Sequence, residues 1–274
     1  MRLPWAPATS TKRGRLPCAH NMVGIFDSGS GGLTVMKAVR EVLPTCDIIY
    51  FGDIAHAPYG SKSQEELSRY TAESLALLKA RGAERIISAC NSVSASLALS
   101  LFDAFNLEPG DIIEMVGPTV SYFKGSGARI MLCATPATIK AGIYQNAFRM
   151  LGREVGAVPI PDLAGAIEFA EGEDKQRELI KEALKDIDWS SYDVLILACT
   201  HYPLALSLFK EIVPPHVVIF DPAVAVAERA HKQFWPQEVR DTKTTFVISQ
   251  DSQPFRTLVA TLFPNAAGNI EVIS

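Results

Sequence analysis

The feature that most constrains this chain is the regular exchange, from Val23 onward, of short apolar runs with amphipathic stretches. The runs are Val23–Phe26, Asp47–Phe51, Arg85–Ala89, Ile112–Val116, Arg129–Ala134, Val155–Pro159, Val194–Ala198, Val217–Phe220 and Thr244–Ile248. Most are continuously apolar rather than alternating, as strands covered on both faces are. The segments between them carry helical patterning. Ser63–Arg81 is the clearest, opened by Ser63 and Glu66 in capping-box spacing and closed at Gly82. Alternation repeated this often predicts an α/β architecture with parallel sheets. The number of runs suits two doubly wound units better than one.

Two of the runs end alike. IISACNSVSAS, Ile86 to Ser96, and VLILACTHYPLALSLF, Val194 to Phe209, each pass from an apolar strand through Ala-Cys and a polar residue into a helix. They lie close to half the folded length apart, so a pseudo-duplicated pair of domains is expected. Ligands of parallel sheets bind beyond the carboxyl ends of the strands. If the two units face each other, Cys90 and Cys199 face each other across one cleft.

Composition removes several alternatives. A net charge of −4 gives no electrostatic reason to expect nucleic acid. No apolar run approaches the roughly 18 residues of a membrane span. Five cysteines, an odd number with no CxxC and no Cys/His ligand spacing, argue against a disulfide framework and structural zinc and favour a reducing, cytoplasmic setting. The first 21 residues hold Arg2, Lys12, Arg13 and Arg15, no acid and no apolar core. They are expected to be a disordered extension: a transit-like leader, a non-native segment or a mis-assigned start, with Met22 able to serve as the first residue.

VGIFDSGSGGLTV, Val23 to Val35, reads as strand, glycine-rich turn and helix, with Asp27 at the strand end. Its glycines are not spaced as GxGxxG, no Gly-Lys-Ser/Thr follows, and neither serine sits in a nucleophile elbow. A turn that binds a carboxylate or an amine remains, beside the plainer reading of a tight turn with an exposed aspartate. HAPYGSKS, His56 to Ser63, is a Pro-Gly loop after another strand end, in which Gly60 could present a backbone N–H. A lone cysteine is most often a small buried hydrophobe. That reading is kept for Cys18, Cys46 and Cys133. It weakens for Cys90 and Cys199, which share a strand-end setting, and a helix N-terminus favours thiolate. His201, two residues from Cys199, could assist it or be a capping histidine.

Nucleophilic catalysis needs one thiol, and disulfide exchange usually keeps its thiols close in sequence. Two thiols on opposite walls of a cleft suit proton transfer at a stereocentre. One thiolate takes a proton from one face and the opposite thiol returns one to the other, without metal or nicotinamide. A free thiol titrates near about 8.5 and an amino-acid α-proton is far less acidic, so such a site must stabilise developing negative charge.

FDSGSGGLTV, DIIYFGD, APYGSKS, ACNSVSAS, ATPATIKAGIY and ACTHYPL, in this order and spacing, resemble bacterial glutamate racemases of the aspartate/glutamate racemase superfamily. The resemblance runs from Val23 to near the C-terminus. It implies two α/β domains, the second inserted in the first: residues 22–117 with 222–274, and residues 118–221. It implies cofactor-independent interconversion of L- and D-glutamate, supplying D-glutamate for peptidoglycan in the cytoplasm of a cell-walled bacterium. By position, Cys90 serves as base toward the D-enantiomer and Cys199 toward the L-enantiomer. Asp27 supports Cys90, and His201 and Glu168 support Cys199. The pairs Asp27-Ser28, Tyr59-Gly60, Asn91-Ser92 and Thr200-His201, with Thr135 and Thr138, bind the amino acid. The chain departs from the usual pattern at Ser92 (commonly Thr), Ala134 (commonly Gly) and His56 (frequently Arg), which bears on specificity rather than reaction class. A homodimer is usual in the family. Binding to DNA gyrase and activation by a cell-wall precursor occur in some members, so a catalytically weak copy kept for gyrase binding is one alternative. Racemisation of aspartate or a hydantoin is another.

Overall fold

Strand β1 (Met22–Asp27) is the centre of the first sheet because its apolar residues Val23, Ile25 and Phe26 are fully buried between helices on both faces. The computed structural model describes residues 22–94, 104–234 and 242–273. The expected extension of residues 1–21, Cys18 within it, and the last residues of the ACNSVSAS stretch lie outside the described residues.

After β1 come α1 (Gly32–Val42), β2 (Asp47–Gly52), α2 (Gln64–Ala80), β3 (Arg85–Ser88), the short turn of helix α3 (Asn91–Ser94) and β4 (Ile112–Ile113). The chain then runs through α4 (Val116–Tyr122), β5 (Ile130–Ala134), α5 (Pro136–Ala141), α6 (Ile143–Met150) and β6 (Gly156–Pro159). It continues with α7 (Leu163–Glu168), α8 (Glu173–Leu184), β7 (Val194–Ala198), α9 (Leu206–Ile212) and β8 (Val218–Phe220). It ends with α10 (Ala223–Phe234), β9 (Thr244–Ile248), α11 (Gln253–Leu262) and β10 (Ile270–Val272).

The strands form two sheets, one of six in the order β10-β9-β2-β1-β3-β4 and one of four in the order β6-β5-β7-β8. Every pairing is parallel. The predicted two-sheet, doubly wound α/β fold is thus observed. The duplication is visible in the strand order. In each sheet the first strand in sequence has the second on one side and the third, then the fourth, on the other. The crevice where the order reverses lies between β1 and β3 in one sheet and between β5 and β7 in the other, which is where open parallel sheets bind ligands. Cys90 follows β3 and Cys199 follows β7, so the two cysteines occupy equivalent places.

The capping box on α2 is present, with Ser63 and Glu66 bonding reciprocally, and Gly82 at φ +89° takes the left-handed conformation just beyond the helix. Two expectations need correction. The strand expected over Ile112–Val116 stops at Ile113. Glu114 turns its carboxylate onto the amides of Val116 (2.6 Å) and Gly117 (2.5 Å), which starts α4 instead. Strand β10 was not foreseen, since it is a three-residue edge strand with Glu271 and Val272 exposed and no continuous apolar run.

Candidate active site

The register of the first sheet aligns Phe26 with Ser88, and that of the second aligns Ala134 with Ala198. The residues just beyond these pairs therefore emerge side by side: Asp27 and Cys90 from one sheet, Thr135 and Cys199 from the other. Both sets meet in one narrow cleft lined by Ser28, Tyr59, Gly60, Cys90, Asn91, Ser92, Thr135, Cys199, Thr200 and His201, all expected from sequence, and by Pro58 and Ala164, which were not. Asp27, Glu168 and Thr138 are buried just behind this lining.

The glycine-rich turn works differently from an anion cradle. Three of its amides, those of Gly29, Ser30 and Gly32, are already committed to carboxylates of the protein. Asp27 Oδ2 accepts from the N–H of Gly29 (3.3 Å) and Gly32 (2.9 Å). Glu168 Oε2 accepts from the N–H (2.8 Å) and hydroxyl (2.7 Å) of Ser30. The glycines are needed for close approach. A Cβ on Gly32 would stand 2.6 Å from Asp27 Cβ, and one on Gly31 would stand 2.7 Å from both His201 Nδ1 and Thr200 Oγ1.

On the Cys90 wall, the thiol donates to Ser28 Oγ at 3.8 Å. Burial first, and then the Asp27 charge, push the Cys90 thiol well above its ordinary range, against the weaker help of the Val93 amide and Ser28. Asp27 acts on Cys90 through its charge, while its Oδ1 takes the Thr200 hydroxyl at 3.2 Å from the other wall. Burial also raises Asp27, partly opposed by the charge on His201.

On the Cys199 wall, Sγ lies 3.9 Å from His201 Nδ1, and His201 Nε2 lies 2.6 Å from Glu168 Oε2. Both side chains of this pair are almost wholly buried. Burial alone pushes His201 down, but the contacts to Cys199 and Glu168 prevail and hold it well above its usual value. Burial pushes Glu168 up, but the bond from His201, its charge and the Ser30 donors prevail and hold it below its usual value. Both shifts favour the charged forms of His201 and Glu168, whereas burial disfavours the charge of Asp27 on the Cys90 side. His201 is no surface histidine, and although it precedes the helical turn Tyr202–Ala205 its side chain makes no capping bond. Its exposure is 2%.

Between the walls, the hydroxyls of Ser92, Thr135 and Thr138 form a closed triangle with edges of 3.0, 3.1 and 3.3 Å. Thr135 also caps α5. Tyr59, expected to touch substrate, has its hydroxyl engaged by Asp53 at 2.6 Å. Asp53 in turn takes His56 Nδ1 (2.9 Å) and the Ser249 hydroxyl (2.7 Å). Sequence reasoning missed Asp53, Ser30 and Tyr144, although each sits inside a quoted motif or next to one. Cys46 and Cys133 are core residues whose thiols donate to the carbonyls of Leu43 and Ile196. Among the described residues there is no cluster able to hold a metal and no helix long and apolar enough to cross a membrane.

Comparison with known proteins follows the same geometry. The Asp/Glu/Hydantoin racemase family profile matches residues 32–230. A glutamate racemase of Desulforudis audaxviator is 39% identical over 77% of this chain and 78% of its own length. One of Chlorobaculum parvum is 33% identical over 92% of this chain and 95% of its own. Among solved structures, glutamate racemase RacE1 of Bacillus anthracis superposes with a TM-score of 0.82 at 26% identity, covering 93% of this chain and 98% of that one. The Francisella tularensis glutamate racemase in complex with D-glutamate gives 0.80 at 26% identity over the same shares.

Proposed function

Because the chain belongs to the Asp/Glu/Hydantoin racemase family, we propose that it is an isomerase that interconverts L- and D-glutamate by two-base proton transfer between Cys90 and Cys199, and that its product feeds peptidoglycan synthesis. The observation that carries this reading is the placement of two cysteines at equivalent strand ends of two matched sheets, both lining one cleft. Their surroundings divide the labour. Cys90, with Asp27 behind it, is held as a thiol. Cys199 lies 3.9 Å from His201 Nδ1, close enough for the ring to exchange a hydrogen bond with its sulfur.

With L-glutamate bound, the Cys199 thiolate removes the α-proton and becomes a thiol. The electron pair is delocalised into the substrate carboxylate, and Cys90 delivers its proton to the opposite face and becomes a thiolate. D-glutamate leaves, and the two cysteines have exchanged protonation states. The reverse reaction starts from that state. No other group gains or loses electrons, so the residues present suffice and no cofactor is invoked. The Asn91 amide, the hydroxyls of Ser28, Ser92, Thr135 and Thr200, and the backbone of the Tyr59-Gly60 loop are the groups placed to hold the amino acid, with Thr138 bracing Ser92.

The substrate is tested by following optical rotation of L-glutamate, D-glutamate, L-aspartate and a hydantoin with purified enzyme. Loss of rotation confined to the glutamates is expected. Turnover of aspartate or hydantoin alone would reassign the substrate within the family. Assembly as a homodimer follows family habit and is checked by sedimentation. Association with DNA gyrase belongs to a separate reading that no described feature favours.

A further inference from the structure

Asn91, the residue immediately after Cys90, lines the cleft and is 3% exposed. A side-chain amide can present either its oxygen or its two N–H donors by a half-turn about one bond, so something must choose. The choice here is made from the other sheet. Tyr144, on α6 and fully buried, donates its hydroxyl to Asn91 Oδ1 at 2.6 Å. With the oxygen so engaged, Nδ2 is left buried and without a protein partner among the described residues. A buried amide nitrogen without an acceptor is unfavourable, so Nδ2 calls for an acceptor that the described protein groups do not supply. The phenol is well kept as a donor, since burial first, and then the charge of nearby Glu114, disfavour its ionisation.

We propose that Tyr144 is a positioning residue: by occupying Asn91 Oδ1 it turns the Asn91 N–H groups into the cleft, where they receive a carboxylate oxygen of the amino-acid substrate. The inference rests on the proposed racemase function and adds to it a residue that touches no substrate itself. A racemase needs the same carboxylate held rigidly while the α-carbon inverts, and a rotatable amide does that only if its orientation is fixed from behind. Because Tyr144 comes from the second sheet's helices and Asn91 from the first sheet's strand end, the bond also makes carboxylate binding depend on the two halves being closed together.

The test is a double-mutant cycle on glutamate racemisation with Tyr144→Phe, Asn91→Ala and the double variant, with thermal unfolding followed for each. Tyr144→Phe is expected to raise KM by on the order of tenfold and change kcat by less than about threefold, the pattern of lost ground-state binding. In the Asn91→Ala background the same change is expected to add less than about twofold, because residues acting through one another are not additive. Asn91→Asp supplies an arm independent of Tyr144 folding. It keeps the volume and the oxygen that Tyr144 bonds but has no N–H to give, so KM must rise at least as far. An unchanged KM in Asn91→Asp, an equal Tyr144→Phe cost in both backgrounds, or a loss confined to kcat would each overturn the proposal while leaving the racemase reading intact. If wild type does not racemise glutamate, that reading fails and the proposal falls with it.

Discussion

Replacing Glu168 by Gln keeps the shape of the buried His201–Glu168 pair and removes its charge. The wild-type carboxylate oxygen takes three donors, from the Ser30 amide, the Ser30 hydroxyl and His201 Nε2, at 2.8, 2.7 and 2.6 Å. Gln retains an oxygen for part of this set, but the imidazolium loses its counter-charge in a site where both side chains are at most 3% exposed. Breaking a buried pair from one side costs about 3–5 kcal/mol, and the surviving acceptor places this case near the low end. At about 2–4 °C per kcal/mol for a chain of this order of size, Tm should fall by roughly 6–12 °C near neutral pH.

The pH dependence fixes the cause. Glu168 titrates below its ordinary 4.5 when folded, so its contribution is present above about that pH and is lost as pH falls through the depressed value. His201 titrates well above its ordinary 6.5, so its contribution is full below that pH and is lost as pH rises through the raised value. The Tm gap between wild type and Glu168→Gln should therefore be widest in the window between and should close toward both ends. Calorimetry from acid to alkaline pH measures it. A gap under about 2 °C at neutral pH, or one that does not narrow in acid, would refute the assignment of a charged pair.

Other consequences are equally direct. Asp27 is raised above its usual value by burial, so its ionisation opposes folding, and this cost grows as pH rises from its unfolded value through the raised one. Asp27→Asn should abolish racemisation while its Tm, relative to wild type, improves between pH 4 and pH 8. Gly31→Ala drives a methyl into His201 and Thr200. It should cut activity by more than about tenfold for about 1–3 kcal/mol of stability, read from kinetics and denaturant melts of one preparation. Ser63→Ala removes the capping box from α2 at an exposed residue that does not line the cleft. It should cost about 1 kcal/mol in urea unfolding and leave kcat/KM unchanged.

The periodicity of Val23–Phe26 or Val194–Ala198 makes the parallel sheets legible, because a strand buried on both faces has no polar face to show. The glycine pattern after Asp27 makes the turn legible, but not that its amides serve Asp27 and Glu168, since the second partner lies 138 residues away. The same distance effect hides Asp53, whose carboxylate joins the Tyr59 loop to Ser249 across 196 residues, and Tyr144, whose value lies in an atom of Asn91. Glu168 was reached only through resemblance. Its short helix offers no local signal, and its meaning comes from His201 and Ser30, which arrive from elsewhere in the chain. Strand β10 escaped for a local reason, as a three-residue edge strand in which only Ile270 packs on the core.

The account turns on two thiols sharing one substrate. The measurement that tests it most directly is α-proton exchange in D₂O with L- and D-glutamate supplied separately to wild type, Cys90→Ala and Cys199→Ala, followed by NMR and by circular dichroism. The account predicts racemisation with deuterium at the α-carbon for wild type and no racemisation for either variant. Sustained racemisation by a folded variant lacking one of the two cysteines would contradict it.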